Sequence, residues 1–314
     1  MALALTEALL QTDLRQSIGD DADTFSDRRL RRALITGLAR LARRRSWSFH
    51  RDTYPVNTIT PYSTGTIAVS VGGTAVTGTT TVFPSNIVSS NAWIEFAGQR
   101  RAYEITARGG DTSLTIRTAY GHADPTNNLS GATYRIFYPS IDLPANFKSL
   151  RKVLDDARSS ELEIVESDEM GAEHADYAGV GSPYWCSVRA KRNDPNVSQL
   201  WMYPPPNTQE LYTILYNRIP GWYDSSTVAT ANFTLEPATT SYFVDWPLML
   251  KDVLLASARL SLVSEGAKSL DYGIVNADYA ELVRAAESDD ERQPEHEWLG
   301  RVKHQASETW RIGT

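Results

Sequence analysis

Between residues 61 and 140 the chain carries two leucines and no lysine, and Thr, Ser, Gly and Val take their place. Such a stretch lacks the material for a long amphipathic helix and must fold through short extended segments. Thr66-Ile67-Ala68-Val69-Ser70-Val71 alternates apolar with small or polar side chains, the period of a half-buried strand, and Gly72-Gly73 follows as a turn. Trp93–Phe96 and residues 103–105 flank a turn at Ala97-Gly98-Gln99, and residues 114–116 and 134–138 add further strands. Short strands with glycine-rich turns predict a small antiparallel β-barrel or sandwich over 61–140.

The flanking segments read as helical. Thr6 caps a first helix with Leu10, Leu14 and Ile18 at four-residue spacing, and Gly19 ends it. After an acidic turn at Asp20–Asp23, a stronger helix is predicted over 26–45, with Leu30, Leu34, Leu38 and Leu41 on one stripe. Arg28, Arg29, Arg32, Arg40 and Arg43 fall on its opposite face, and Arg31, Arg44 and Arg45 flank the stripe. Trp47 and Phe49 mark a strand or extended exit. Beyond the insert, Leu150 and Leu154 predict a helix over 147–158. A second β region, a meander, follows at 184–188, 200–203 and 211–216, with a turn at 193–196 and Pro204-Pro205-Pro206 before its third strand. A helix over 246–263 is apolar on several sides, a shorter one covers 278–287, and residues 288–314 show no apolar period. The expected fold class is therefore α+β: a helical framework from the N- and C-terminal segments (1–60 and 141–287, with the short meander), the inserted β domain (61–140) and an extended tail (288–314).

Charge and chemistry narrow the function. The net charge of −7 and pI near 5.3 argue against a protein that coats DNA. A single cysteine, Cys186, rules out an intrachain disulfide, and its apolar surroundings read as a buried side chain rather than a reactive thiol. The amino-terminal stretch reads as a helix rather than a signal peptide, no run of apolar residues is long enough for a membrane helix, and a soluble protein of the cytoplasm is expected. No phosphate loop, zinc motif or nucleophile elbow is present, and His50, His122, His174, His296 and His304 are scattered. Glu295-His296-Glu297 reads as a solvated run, and Glu161, Glu163, Glu166, Asp168 and Glu169 as an acidic loop rather than paired glycosidase carboxylates. The expectation is no enzyme and no cofactor or metal. Two features point instead to interfaces. The arginine-only face, carried by Arg28, Arg32, Arg40 and Arg43, suits forked contacts with phosphates or acidic protein groups, against the plain alternative of a solvated helix face. In the polar tail, Trp298, Leu299, Trp310 and Ile312 are apolar enough to anchor on a partner.

The order of motifs resembles the head-to-tail adaptor (connector) proteins of tailed bacteriophages, above all the podovirus adaptors that sit under the portal. The likeness runs from the helix closing on Trp47-Ser48-Phe49, through Tyr62-Ser63-Thr64-Gly65-Thr66-Ile67-Ala68-Val69, Val76-Thr77-Gly78 and Val82-Phe83, to Leu143-Pro144-Ala145-Asn146-Phe147. Gly181-Ser182-Pro183, then Leu200-Trp201-Met202-Tyr203-Pro204-Pro205-Pro206 and Tyr212-Thr213-Ile214-Leu215-Tyr216, form its most specific part. The long charged tail and the strand cysteine depart from the pattern. The resemblance implies a virion neck protein assembled in the host cytoplasm. It would form a homo-oligomeric ring, commonly a dodecamer, joined to the portal protein above and a tail nozzle or tail tube protein below. DNA would pass through the lumen without sequence-specific binding. On this reading Leu248, Leu255 and Leu262 of the widely apolar helix form the ring interface, and the tail docks to the portal. The alternatives are a head-completion protein of a long-tailed phage, a carbohydrate-binding virion surface module, and a muralytic enzyme. For the carbohydrate module the insert offers only Trp93 and Asp111, far apart in sequence.

Overall fold

A computed structural model describes residues 5–19, 25–99, 101–121, 128–167, 180–192, 194–224, 233–235, 242–265 and 271–291. The fold is mixed α+β, with its strands mostly antiparallel, and the chain divides into two units. One is continuous, Asp52–Asn217, and the other joins Met1–Arg51 to Arg218–Thr314.

The continuous unit is built of strands. In chain order these are β1 (Arg51–Asn57), β2 (Thr66–Val69), β3 (Ala75–Thr79), β4 (Trp93–Phe96), β5 (Ala102–Gly110), β6 (Ser113–Ile116), β7 (Leu129–Ala132) and β8 (Tyr134–Phe137). Then come β9 (Ser140–Asp142), β10 (Phe147–Asp155), β11 (Ser160–Glu161), β12 (Glu163–Ile164), β13 (Trp185–Lys191), β14 (Asp194–Tyr203) and β15 (Leu211–Arg218). Seven of them form one sheet in the order β7-β2-β3-β6-β5-β4-β8. Its two edge strands are separated in sequence by Thr133 alone, so the sheet has to curl until its edges meet. Alternation puts Ile67, Val69, Val76, Ile94, Phe96, Leu114, Ile116 and Ile136 inside, around Phe83, which packs edge-on against the rings of Tyr62 and Tyr134. Tyr62 and Ile136 exchange backbone hydrogen bonds of 2.8 Å in both directions, so the chain leaves this module beside where it came in.

Residues 147–158 are not the expected helix. β10 takes most of them, because β15 supplies a strand partner and the buried positions Val153 and Asp155 alternate. The expected meander is also redistributed. β13 and β14 pair antiparallel through Cys186↔Met202 and Val188↔Leu200, with β9 on the far side of β14. β14 starts at Asp194, so Asp194-Pro195-Asn196 belongs to the strand rather than to the turn before it. The third strand, β15, joins a different sheet, in the order β1-β15-β10-β11. Both sheets share a core of Leu143, Val153, Leu162, Cys186, Leu200, Met202, Tyr212 and Ile214. The second β region therefore clusters with the insert and not with the helices, which corrects the expected domain boundary at 141.

The other unit holds the four α-helices among the described residues: α1 (Glu7–Ser17), α2 (Asp27–Arg44), α3 (Lys251–Ser264) and α4 (Tyr272–Glu291). The Thr6 and Ser26 hydroxyls cap α1 and α2 by accepting from the backbone N–H three residues on. A small sheet of β16 (Trp222–Tyr223), β17 (Phe233–Thr234) and β18 (Phe243–Val244) completes it. The stripe Leu30, Leu34, Leu38 and Leu41 is buried as predicted, against α3. Gly37 lets the two helices approach: a Cβ there would lie 2.8 Å from the Ala258 backbone nitrogen. Trp47 is extended as expected, but Phe49 lies in a 3-10 turn, Ser48–His50, and both rings pack against Trp246.

Candidate interaction surface

Residues 246–263 were read as a helix buried on more than one side, with Leu248, Leu255 and Leu262 facing a neighbouring subunit. Leu255 is 6 % exposed and Leu262 fully buried, both in the core formed with α1, α2 and α4. A ring contact through these two side chains is excluded, because their own unit already surrounds them. Leu248 differs: it is 58 % exposed, and Met249 beside it is 85 % exposed, on a 3-10 turn just ahead of α3. Tyr272 and Ile274, at the start of α4, are exposed as well. Arg259 in α3 reaches Asp278 of α4 at 3.9 Å, and a short link joins Ser264 to Tyr272, so the two helices run antiparallel. The two exposed apolar pairs thus sit at opposite ends of the helix pair, about 20 Å apart at 1.5 Å per residue. Sequence reading missed Met249, Tyr272 and Ile274, since exposure leaves no trace in a hydrophobic pattern.

The arginines of α2 and its exit divide into two groups. Arg31 pairs with fully buried Glu7 at 2.5 Å; burial raises the Glu7 pKa, opposed by that guanidinium. Arg44 binds Glu287 at 2.6 Å, and its hydrogen bond holds that carboxyl below the usual range. Arg45 reaches Asp290 at 3.2 Å and lies over the Trp47 ring, while Arg29 covers Phe25. Arg40, expected on the outer face, donates to the Ser257 carbonyl at 3.0 Å and so serves the α2–α3 contact. Arg28, Arg32 and Arg43 remain exposed, with no acidic partner among the described residues. At 100° per residue they fall within about 60° of one another and span about 22 Å of helix. The outer face is a cationic ridge of three side chains.

The tail begins later than expected. α4 continues to Glu291, and Asp290 is buried, accepting from the Ser48 backbone N–H at 2.8 Å and from the Ser48 hydroxyl. Residues 288–291 are therefore the last turn of α4, with Asp290 alone buried. Trp298, Leu299, Trp310 and Ile312 lie outside the described residues.

Chemically suggestive groups are held otherwise. Cys186 is buried, and burial, with Glu161 adding to it, pushes the thiol up to about 12, so it stays protonated at neutral pH. The buried His50 places Nε2 3.1 Å from the Asp245 carbonyl; the other four histidines and Glu295-His296-Glu297 lie outside the described residues. Glu161 is held by Lys152 at 2.9 Å, and Glu163 accepts from the Trp185 indole at 2.9 Å. Among the described residues no cluster of three or more metal-ligating side chains occurs, and no helix is long and apolar enough to cross a membrane. No protein-family model matches the chain, and no curated protein matches it either.

Proposed function

We propose that the chain is one subunit of a virion head-to-tail adaptor ring, held between the portal protein and a tail nozzle or tail tube protein, with DNA passing through the lumen. The helical unit is the framework of the subunit and the β unit its insert. One observation carries the ring reading: two separate exposed apolar pairs, Leu248 with Met249 and Tyr272 with Ile274, at opposite ends of one helix pair. A cyclic ring repeats a single heterologous contact in which one patch of each copy meets a different patch of the next. Two such separated pairs suit that contact, and on this reading they take over from Leu255 and Leu262 as the interface side chains. Arg28, Arg32 and Arg43 form a polar contact with acidic groups or phosphates, and Trp298, Leu299, Trp310 and Ile312 dock to the portal. The order of sequence motifs supports the same reading.

The test is negative-stain imaging of the protein mixed with purified portal. Closed rings should decorate the portal, and Leu248→Asp with Met249→Asp should abolish them without changing the thermal melt. Arg→Glu at 28, 32 and 43 should weaken assembly more than Arg→Gln, and added salt should weaken the wild type, since exposed charges are screened within about 10 Å at 0.1 M. Absence of rings on portal, or rings indifferent to the double Asp change, overturns the proposal. Binding to a preformed adaptor ring instead of bare portal identifies a head-completion protein of a long-tailed phage.

A further inference from the structure

The β unit contains a cleft of about 240 Å³ lined by Tyr54, Asn57, Ser90, Tyr138, Ser140 and Asp142, among others. One of these side chains is almost fully buried yet lacks a hydrogen-bond partner. Ser140 is 4 % exposed and leaves its Oγ unpaired. Buried hydroxyls are paired in the large majority of cases, so a bare one on the wall of a cleft calls for a partner. Tyr138 beside it adds a ring and a hydroxyl to the same wall.

The charge of the cleft narrows the class of occupant. Among the described residues Asp142 is the only charged one lining it, and its charge is matched: Lys191 Nζ lies 2.6 Å from Oδ2. Gln199 and Asn91 donate to Oδ1 at 2.7 and 3.1 Å. Burial works to raise this carboxyl, but the bonds from Gln199 and Lys191 outweigh it and hold the group below the usual range. It is an anion with three donors in place, leaving roughly one of about four lone-pair sites free. A charged ligand would find no uncompensated countercharge. A hydroxylated one would find groups that both donate and accept (Tyr138, Ser140, Ser90), an amide (Asn57) and the remaining carboxylate site. Tyr54, Ile59 and Ile141 give the cleft apolar surface for C–H groups. Pockets for drug-sized molecules run about 300–1,000 Å³, so this one takes something smaller.

We propose that the cleft is a binding site for a single uncharged sugar ring, either free or as a terminal unit of a glycan. The inference stands on the β unit alone and does not depend on the ring reading. It also uses residues other than Trp93 and Asp111, the two that sequence reading had considered.

The experiment is ligand-observed saturation-transfer NMR on the full chain. Methyl glycosides of neutral hexoses and N-acetylhexosamines are compared with glucuronic acid and glucosamine as charged controls. At least one neutral glycoside should give transfer and the charged controls none. Asn57→Ala, at an exposed position, and Tyr138→Phe should each weaken binding roughly fivefold, as loss of one neutral hydrogen bond does, with unchanged melting. An array of glycans ending in the same sugar separates the sources: retention there assigns a glycan terminus, and binding in solution alone assigns the free sugar. No transfer from any neutral glycoside, equal transfer from the charged controls, or binding unaffected by both substitutions overturns the proposal. If no sugar binds and Ser140→Ala lowers the melting temperature, the cleft holds a structural water instead.

Discussion

Cutting the chain after residue 287 and cutting it after residue 291 should have different consequences, although the two products differ by only four residues. The four include Asp290, whose carboxylate is the acceptor for two buried donors of Ser48 and an ion-pair partner of Arg45. Leaving a buried donor without an acceptor costs about 1–3 kcal/mol. The shorter chain strips two donors at once, but water entering the opened site recovers part of the loss. The net effect should be about 2–4 kcal/mol, with Glu291 adding little because its pairing with Arg45 is exposed. For a unit of this size that corresponds to a fall of roughly 5–15 °C in the melting of the helical unit. Differential scanning calorimetry on 1–287, 1–291 and the full chain measures it directly, and Asp290→Ala in the full chain should reproduce most of the shift. If 1–287 melts indistinguishably from 1–291, Asp290 does not anchor α4 and the argument fails.

Leu255→Asp puts a carboxylate into the helical core and should destabilise the chain by more than about 4 kcal/mol, read as loss of soluble protein, whereas Met249→Asp on the surface should stay within about 0.5 kcal/mol. Gly37→Ala gains about 1 kcal/mol of helix propensity but drives a methyl group into the Ala258 backbone, which cannot rotate away. A net loss of about 1–2 kcal/mol is expected in urea denaturation, with Thr36→Ala on the exposed face as the control for propensity alone, expected to gain about 0.5 kcal/mol. Glu210, hydrogen-bonded by Arg158, is held down to about 2 in the folded chain, so its contribution is complete above the unfolded value near 4.5 and is lost as pH falls toward 2. The denaturation midpoint should drop over that window in the wild type and drop less in Glu210→Gln.

How much was legible depended on whether one physical signal dominated a segment. In α2 four leucines at helical spacing, a serine cap and an arginine face all agree, and the structure follows them. Strands β2, β4 and β6 were readable because apolar side chains alternate along them. β3 was not: in Ala-Val-Thr-Gly-Thr the buried positions are Val76 and Gly78, and a glycine sends no apolar signal. The segment 147–155 misled because Leu150 and Leu154 satisfy period two as well as a helical turn, and only the partner strand β15 decides between them. Asp290 looked like the start of a polar tail, since its value comes from Ser48, far away in sequence. The cleft was unreadable for a similar reason, because Tyr54, Asn57, Ser90, Tyr138 and Asp142 meet only once three sheets are assembled.

The division of the chain also sets a timetable for its synthesis. The β unit is continuous in sequence and can fold as soon as Asn217 has left the ribosome. The helical unit cannot, since α2 waits for α3, more than 200 residues later. At about 5–20 residues per second the leucine stripe of α2 stays uncovered for roughly 10–40 s on every nascent chain. During that interval Leu30, Leu34, Leu38 and Leu41 form a ready target for a chaperone, or for another unfinished copy on the same polysome. Expression yield should therefore respond to translation speed and to trigger-factor-like holdases, even though the finished chain keeps those four side chains buried.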